Sequence, residues 1–100
     1  MIKHFVFWKL FDEAEGKSKK ENIKIIKAKF EMLVGRIEGL ESAKVYSSIA
    51  SSDFDICLDC TLSSKFALEL YQEHPLHNEV RSFVRKVISA RFFFDAEIVE

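Results

Sequence analysis

The chain has 100 residues, of which 48% are hydrophobic and 31% charged, and its formal net charge is −1. This length predicts a single domain over residues 1–100 and excludes a second one. The near-neutral charge gives no overall attraction to nucleic acid. No segment approaches the ~20 apolar residues that cross a bilayer. We therefore expect neither a nucleic-acid nor a membrane partner.

The N-terminal segment carries Lys3, His4 and Lys9 within a strand-like pattern, which is unlike a signal peptide. We expect a cytoplasmic protein. Cys57 and Cys60 stand three residues apart in a predicted strand, so their side chains should point to opposite faces of the sheet. We interpret both cysteines as structural, because they cannot form a disulfide with each other or bind one metal ion together.

The first predicted strand covers residues 2–11, where both alternating sets of side chains are largely apolar and both faces should be covered. An acidic, glycine-containing segment then leads to a lysine-rich helix that should end near Arg36. Its apolar side chains recur at three- and four-residue steps, which predicts one buried stripe. The stripe comprises Ile23, Ile26, Phe30, Leu33, Val34 and Ile37.

The second half of the chain begins with strands at residues 40–48 and 54–62, and Phe54 should share the inner face of the second of these strands with Ile56. A helix follows Ser63 and Ser64. Pro75 should end this helix and open the next one, because proline is tolerated at the first helical position. The last strand should span residues 90–99.

This β-α-β-β-α-β order predicts a ferredoxin-like α+β fold with a four-stranded antiparallel sheet. Helices on one face would leave the other face open, with Phe5, Phe7, Phe93 and Val99 exposed on it. We expect a second copy of the chain to cover this open face, so the predicted partner is a homodimer. Lys3 and Lys9 should lie on the same face, beside Asp55 and Asp59.

Two histidines should face the space between the sheet and the helices. His4 shares its strand face with Val6 and Trp8, and His77 precedes Val80 and Val84 by three and seven residues in the last helix. Tyr71 could supply a hydroxyl to the same space. Near a helix N-terminus His77 should stay neutral, which makes it the candidate general base. Each histidine also has a structural interpretation, as a helix cap or as a satisfied core residue.

Residues 1–10, with Lys3 and His4, and the run Tyr71-Gln72-Glu73-His74-Pro75-Leu76-His77 resemble the stress-responsive A/B-barrel (Dabb) family. The resemblance covers essentially the whole chain and implies a dimeric α/β barrel. One member of that family is a polyketide cyclase, and His4, Tyr71 and His77 match its histidines and tyrosines. Phe30 and Ile56 stand where that cyclase has a tyrosine and a histidine, which implies a more apolar pocket. The expected ligand-binding residues are Val6, Trp8, Phe30, Ile56, Leu58, Val80 and Val84.

Two functions fit these expectations. The first is that of a stress-response-type protein, which binds a small hydrophobic or aromatic carbonyl compound without turnover or whose barrel is mainly structural. The alternative is a cofactor-independent enzyme, either a polyketide cyclase-like lyase or a dimeric-barrel monooxygenase, in which His77 is the base while Tyr71 and His4 stabilise an oxygen atom. Pro75 separates His74 from His77, so we predict no metal site. Phosphate-binding and dinucleotide-binding glycine motifs are missing from the sequence, and we predict no cofactor.

Overall fold

Three helices cover one face of a four-stranded antiparallel sheet in the computed structural model of the chain. The structure describes residues 1–50 and 52–99, so Ser51 and Glu100 of the predicted domain lie outside the described residues. The elements are β1 (Ile2–Leu10), β2 (Glu13–Ala14), β3 (Lys17–Ser18), α1 (Lys19–Glu31), β4 (Leu40–Ser47), β5 (Ile56–Leu62), α2 (Lys65–Glu73), α3 (Pro75–Val87) and β6 (Ile88–Glu97). In the described part of the chain, none of these helices is long and apolar enough to span a membrane.

The sheet has the strand order β4-β5-β1-β6, and every neighbouring pair is antiparallel. The predicted ferredoxin-like α+β fold is therefore confirmed. The even-numbered side chains of β1, from Ile2 to Leu10, are buried beneath the helices. They pack with Ile26 and Phe30 of α1 and with Val84 of α3 in one hydrophobic core. The even-numbered face of β1 therefore looks toward the helices, as predicted, whereas its odd-numbered face is only partly covered in the single chain.

Helix α1 is shorter than the sequence pattern predicts. Ser18 caps its N-terminus, where the Ser18 hydroxyl accepts a hydrogen bond from the Glu21 N–H at 3.2 Å. The helix ends at Glu31 and not near Arg36. Beyond it the chain turns through Gly35, which adopts φ +86°, a conformation that would be strained for other residues. Leu33 and Ile37 remain buried although they lie outside the helix, whereas Val34, expected in the same buried stripe, is exposed because the backbone has turned there.

A small hairpin that the sequence analysis missed precedes α1. Its strands β2 and β3 are joined by Glu15 and Gly16, which both have positive φ, at 53° and 74°. Such a two-residue turn matches the twist of a hairpin. The acidic segment therefore forms ordered structure beside α1.

Strand β6 presents a different face than expected. It begins at Ile88 and ends at Glu97, and its pairing with β1 shifts register between Lys9 and Leu10. Phe93 lies opposite Val6 and so faces the helix side, whereas Phe92 and Phe94 lie opposite Phe7 and Phe5. The placement of Phe93 on the open face was wrong, because one residue of register exchanges the two faces of a strand.

The open face carries an aromatic cluster. The Phe7 ring lies 5.9 Å from the Phe54 ring and 6.4 Å from the Phe92 ring, measured between centroids. Phe54 precedes β5 and packs on this face, so its expected place on the inner face was wrong. Phe92 and Phe94 are 57% and 56% exposed. The face is a broad apolar surface without cover in the single chain.

Charged side chains border this cluster. Lys3 forms the expected ion pair with Asp59, at 2.6 Å. Asp55, which was expected beside Lys9, accepts a hydrogen bond from the Leu10 N–H at 2.8 Å and lies 3.3 Å from the Lys19 ammonium group. Asp55 therefore links the end of β1 to the start of α1.

Candidate functional site

A cavity of about 330 Å³ lies between the sheet and the helices. Strands β1 and β5 form its floor, α1 and α3 form its sides, and β6 contributes to its rim. Its lining residues are His4, Val6, Trp8, Phe30, Leu58, Gln72, His77, Arg81, Val84, Arg85, Ile88 and Arg91. The Trp8 and Phe30 rings stack with centroids 5.3 Å apart, and together they make a flat apolar surface.

His4 is buried in the middle of β1 and faces this cavity. Asp95 lies opposite it in β6, and the Asp95 carboxylate contacts the His4 Nδ1. A carboxylate only accepts hydrogen bonds, so Nδ1 carries a proton, and in the neutral ring the lone pair lies on Nε2. The partner fixes the orientation and tautomer of the ring, as the partner of a general base does.

His77 lies in the first turn of α3, on the opposite wall of the cavity. Its Nδ1 donates to the Gln72 carbonyl oxygen at 3.3 Å, which leaves the lone pair on Nε2. Burial lowers the pKa of His77 to about 4, with a smaller contribution from the nearby Arg81 charge. The ring is therefore neutral at pH 7, as expected, although burial and not the helix dipole is the main cause. A pKa this low makes His77 a weak base.

Tyr71 does not line the cavity. Its side chain is fully buried in α2, and its hydroxyl lies 3.9 Å from the Cys60 Sγ. Burial raises the pKa of Tyr71 strongly, and burial raises the pKa of Cys60 to about 12, so both groups stay protonated. The Tyr71 ring packs against His77, with centroids 4.4 Å apart, and lies 6.1 Å edge-on from His4. Tyr71 thus supports the two histidine rings from behind.

The helix cap belongs to a different histidine. His74 is the N-cap of α3, and its Nδ1 accepts a hydrogen bond from the Leu76 N–H at 3.1 Å. Pro75 occupies the first helical position, as predicted. With His74 engaged in this way, His77 is free to face the cavity. In residues 1–50 and 52–99, no group of three His, Cys, Asp or Glu side chains converges in a way that could hold a metal ion.

The structure brings most of the predicted site residues together. His4, His77, Val6, Trp8, Phe30, Leu58 and Val84 all line the cavity. Tyr71, Ile56 and Val80 are buried in the core and do not reach it. Ile56 lies opposite Trp8 at the start of β5. The Trp8 side chain, which is larger than that of Ile56, lines the cavity at this point of the sheet.

Five lining residues were not foreseen: Gln72, Arg81, Arg85, Ile88 and Arg91. Arg81 and Arg85 follow His77 by four and eight residues, which places all three side chains along one side of α3. That spacing could have revealed the two arginines from the sequence. Arg91 lies opposite Trp8 in β6, a position that depends on the strand register.

The sequence matches the model of the stress responsive A/B barrel domain (Dabb) over residues 2–98. The chain belongs to this family. The resemblance noted in the sequence is thus confirmed by a match along nearly the whole chain. A search of curated protein sequences found no significant match.

Solved structures share the fold of this Dabb domain at low sequence identity. A dimeric ferredoxin-like protein of unknown function from Bacteroides fragilis is 21% identical, with 97% of this chain and 95% of that chain covered and a TM-score of 0.85. A Dabb family protein from Mesorhizobium loti is 18% identical, with coverage of 99% and 97% and a TM-score of 0.78. The hydroxynitrile lyase from Passiflora edulis is 14% identical, with coverage of 99% and 94% and a TM-score of 0.80. These similarities establish the common fold alone.

Proposed function

We propose that this Dabb protein binds a small, mainly apolar molecule with a carbonyl group in the cavity between its sheet and helices, and does not convert it. The observation that carries this proposal is the cavity itself, with its apolar floor and stacked Trp8 and Phe30 rings. An apolar cavity of about 150 Å³ holds benzene. A volume of about 330 Å³ therefore has room for two fused aromatic rings.

The polar groups in the cavity favour binding over turnover. His77 is neutral and weakly basic, because its pKa is lowered to about 4. The Tyr71 hydroxyl points to Cys60 and is not placed to stabilise an oxyanion in the cavity. Gln72 and Arg81 can donate hydrogen bonds to a bound carbonyl oxygen. Such donors fix the orientation of a ligand in an apolar pocket.

Titration calorimetry with 2-acetylnaphthalene tests this proposal, because this ketone has two fused rings and one carbonyl group. We expect saturable binding to the wild type and none to Val84→Phe, whose larger side chain fills part of the cavity. Val34→Phe makes the same change at an exposed position away from the cavity and should bind like the wild type. Equal binding by all three proteins would contradict the proposal.

A second candidate is a cofactor-independent enzyme, and the pairing of His4 with Asp95 favours it. The sequence assigned the base to His77, with Tyr71 and His4 stabilising the oxygen. The structure supports His4 as the base instead, because Asp95 orients its ring and leaves Nε2 free to take a proton. In this reaction the proton on the carbon next to a carbonyl moves to Nε2, and the electron pair of the broken C–H bond forms an enolate. The cyclase-like lyase and monooxygenase alternatives both fall within this candidate.

Proton exchange separates the two candidates without knowledge of the natural substrate. In D₂O, an enzymatic base should exchange the acetyl methyl protons of 2-acetylnaphthalene faster than buffer does, as followed by proton NMR. General-base catalysis contributes about 10²- to 10⁴-fold. A loss of this size in His4→Gln would identify His4 as the base, and the same loss in His77→Gln would identify His77. If the wild type exchanges these protons no faster than buffer does, the result favours binding without turnover.

We also propose that two copies of the chain pair through their open sheet faces. The cytoplasmic location expected from the sequence stays a proposal. The support is the aromatic surface of the open face, on which Phe92 and Phe94 are exposed and Phe5, Phe7 and Phe54 are half-buried. The dimeric state described for the Bacteroides fragilis protein supports the same pairing. Burying half of a Phe side chain contributes about 1–1.5 kcal/mol. Phe92 would enter a symmetric interface twice.

Sedimentation equilibrium of Phe92→Glu tests which face forms the dimer. We expect its dimer dissociation constant to rise at least ~100-fold, because two apolar contacts are lost and two carboxylates are buried. Phe93→Glu is the matched control, since Phe93 is 52% exposed but faces the helix side. If Phe93→Glu dissociates the dimer and Phe92→Glu does not, the dimer uses another surface.

A further inference from the structure

Three arginines stand at the rim of the cavity, where an apolar ligand alone would not require them. Arg81 and Arg85 come from α3, and Arg91 comes from the edge strand β6. No carboxylate side chain lines the cavity among the described residues. The chain as a whole has a formal charge of only −1. Three positive charges thus stand at this opening with no carboxylate beside them in its described lining.

The three guanidinium groups are not neutralised within the chain. In the part of the chain that the structure describes, none of them forms an ion pair with a carboxylate. The nearby Asp95 is engaged with His4. Like charges gathered at one opening repel one another, and an anion placed among them relieves this repulsion.

Two of the arginines are held in place by neutral neighbours. An Arg81 N–H donates to the Asn78 side-chain oxygen. The Arg91 guanidinium lies over the Phe93 ring, 5.1 Å from its centroid. These contacts restrict the side chains and leave donors available. Planar guanidinium groups bind carboxylates through paired hydrogen bonds.

We propose that the ligand of this cavity is a monocarboxylate with an aromatic or other compact apolar body. The apolar body lies on the floor against Trp8 and Phe30, and the carboxylate lies at the rim among the arginines. This inference rests on the cavity function proposed above and specifies its ligand class. It predicts that the acid binds more tightly than a neutral compound of the same shape.

The test compares 2-naphthoate with 2-acetylnaphthalene by titration calorimetry, since the two have the same ring system and similar size. At low salt we expect 2-naphthoate to bind at least ~10-fold more tightly, and this advantage should shrink in 0.5 M NaCl. Val84→Phe should abolish the binding of both compounds. Saturable binding of 2-naphthoate, with binding of 2-acetylnaphthalene too weak to measure, also supports the proposal.

Arginine variants locate the carboxylate. Arg85→Gln and Arg91→Gln should each weaken 2-naphthoate severalfold while changing ketone affinity by less than about twofold. Arg36→Gln removes an exposed arginine outside the cavity and should change neither affinity. Equal affinity for acid and ketone, or rim variants that behave like Arg36→Gln, would overturn this inference while leaving the cavity function intact. Binding of neither compound would overturn both.

Discussion

Replacing His77 by Gln should remove much of the acid sensitivity of this fold between pH 7 and pH 5. The folded chain keeps the His77 ring neutral because burial lowers its pKa from 6.5 to about 4. The unfolded chain exposes the ring, which then binds a proton near its ordinary pKa. Between these two values the unfolded state holds more protons, so acid favours unfolding.

The two pKa values set the size of the effect. The neutral His77 ring contributes to the free energy of unfolding. This contribution is almost fully present at pH 7 and is lost as the pH falls from about 6.5 towards 4. By linkage, the loss between pH 7 and pH 5 is at most about 2 kcal/mol. Because the ring is only partly buried, solvent screening reduces this to roughly 1 kcal/mol.

Urea unfolding at pH 7 and pH 5 measures this difference, at one fixed protein concentration because a dimer makes stability depend on concentration. The wild type should lose about 1 kcal/mol more than His77→Gln does on this change of pH. Gln retains a neutral N–H donor for the Gln72 carbonyl. His74→Gln is the control and should keep the pH dependence, because His77 remains. Equal losses in the wild type and His77→Gln would show that His77 does not cause this pH dependence.

Three further substitutions test the packing, and thermal or urea unfolding measures each. Gly39→Ala should cost about 2–4 kcal/mol, because Gly39 has φ +85° and the new Cβ would lie 2.6 Å from the Ala67 Cβ; Gly16→Ala, in open space, should cost only about 1–2 kcal/mol. Phe30→Ala should cost about 3–5 kcal/mol because Phe30 is buried against Trp8. His74→Ala should cost about 0.5–2 kcal/mol through the lost α3 cap. The close approach to Ala67 would be contradicted if Gly39→Ala cost no more than Gly16→Ala. The packing of Phe30 would be contradicted by a Phe30→Ala cost below about 1 kcal/mol. The cap would be contradicted if His74→Ala left stability unchanged.

Apart from the hairpin of β2 and β3, the element order could be predicted from the sequence, and so could the inner faces of β1 and α3, because each depends on periodicity within one short segment. His4 and Val6 alternate with half-buried residues in β1, and Val80 and Val84 lie on one side of α3. The end of α1 was harder to place. Leu33 and Ile37 keep a helical spacing and are buried, yet the backbone there has already turned away from the helix.

Features that depend on pairing between distant segments could not be predicted in this way. The face of β6 changes with one residue of register, and the shift beside Lys9 decides that Phe92 lies on the open face. The contact between His4 and Asp95 joins residues 91 positions apart. Arg91 reaches the cavity rim through the same register.

The rim arginines were overlooked for another reason. A helical stripe of apolar residues predicts that charged side chains lie in solvent, although a long arginine can border a cavity through its aliphatic part. Arg81 and Arg85 follow His77 by four and eight residues in α3 and line the cavity with it. Tyr71 shows the converse, since its place beside the histidines was foreseen but the direction of its hydroxyl was set by Cys60 in β5.

A crystal structure of the protein grown with 2-naphthoate is the most direct measurement of the central claim. The proposed ligand class predicts the naphthalene rings in the cavity against Trp8 and Phe30, with the carboxylate at Arg85 or Arg91, and two chains joined through their open sheet faces. Naphthoate bound at another surface, or an unchanged cavity at saturating naphthoate, would contradict it.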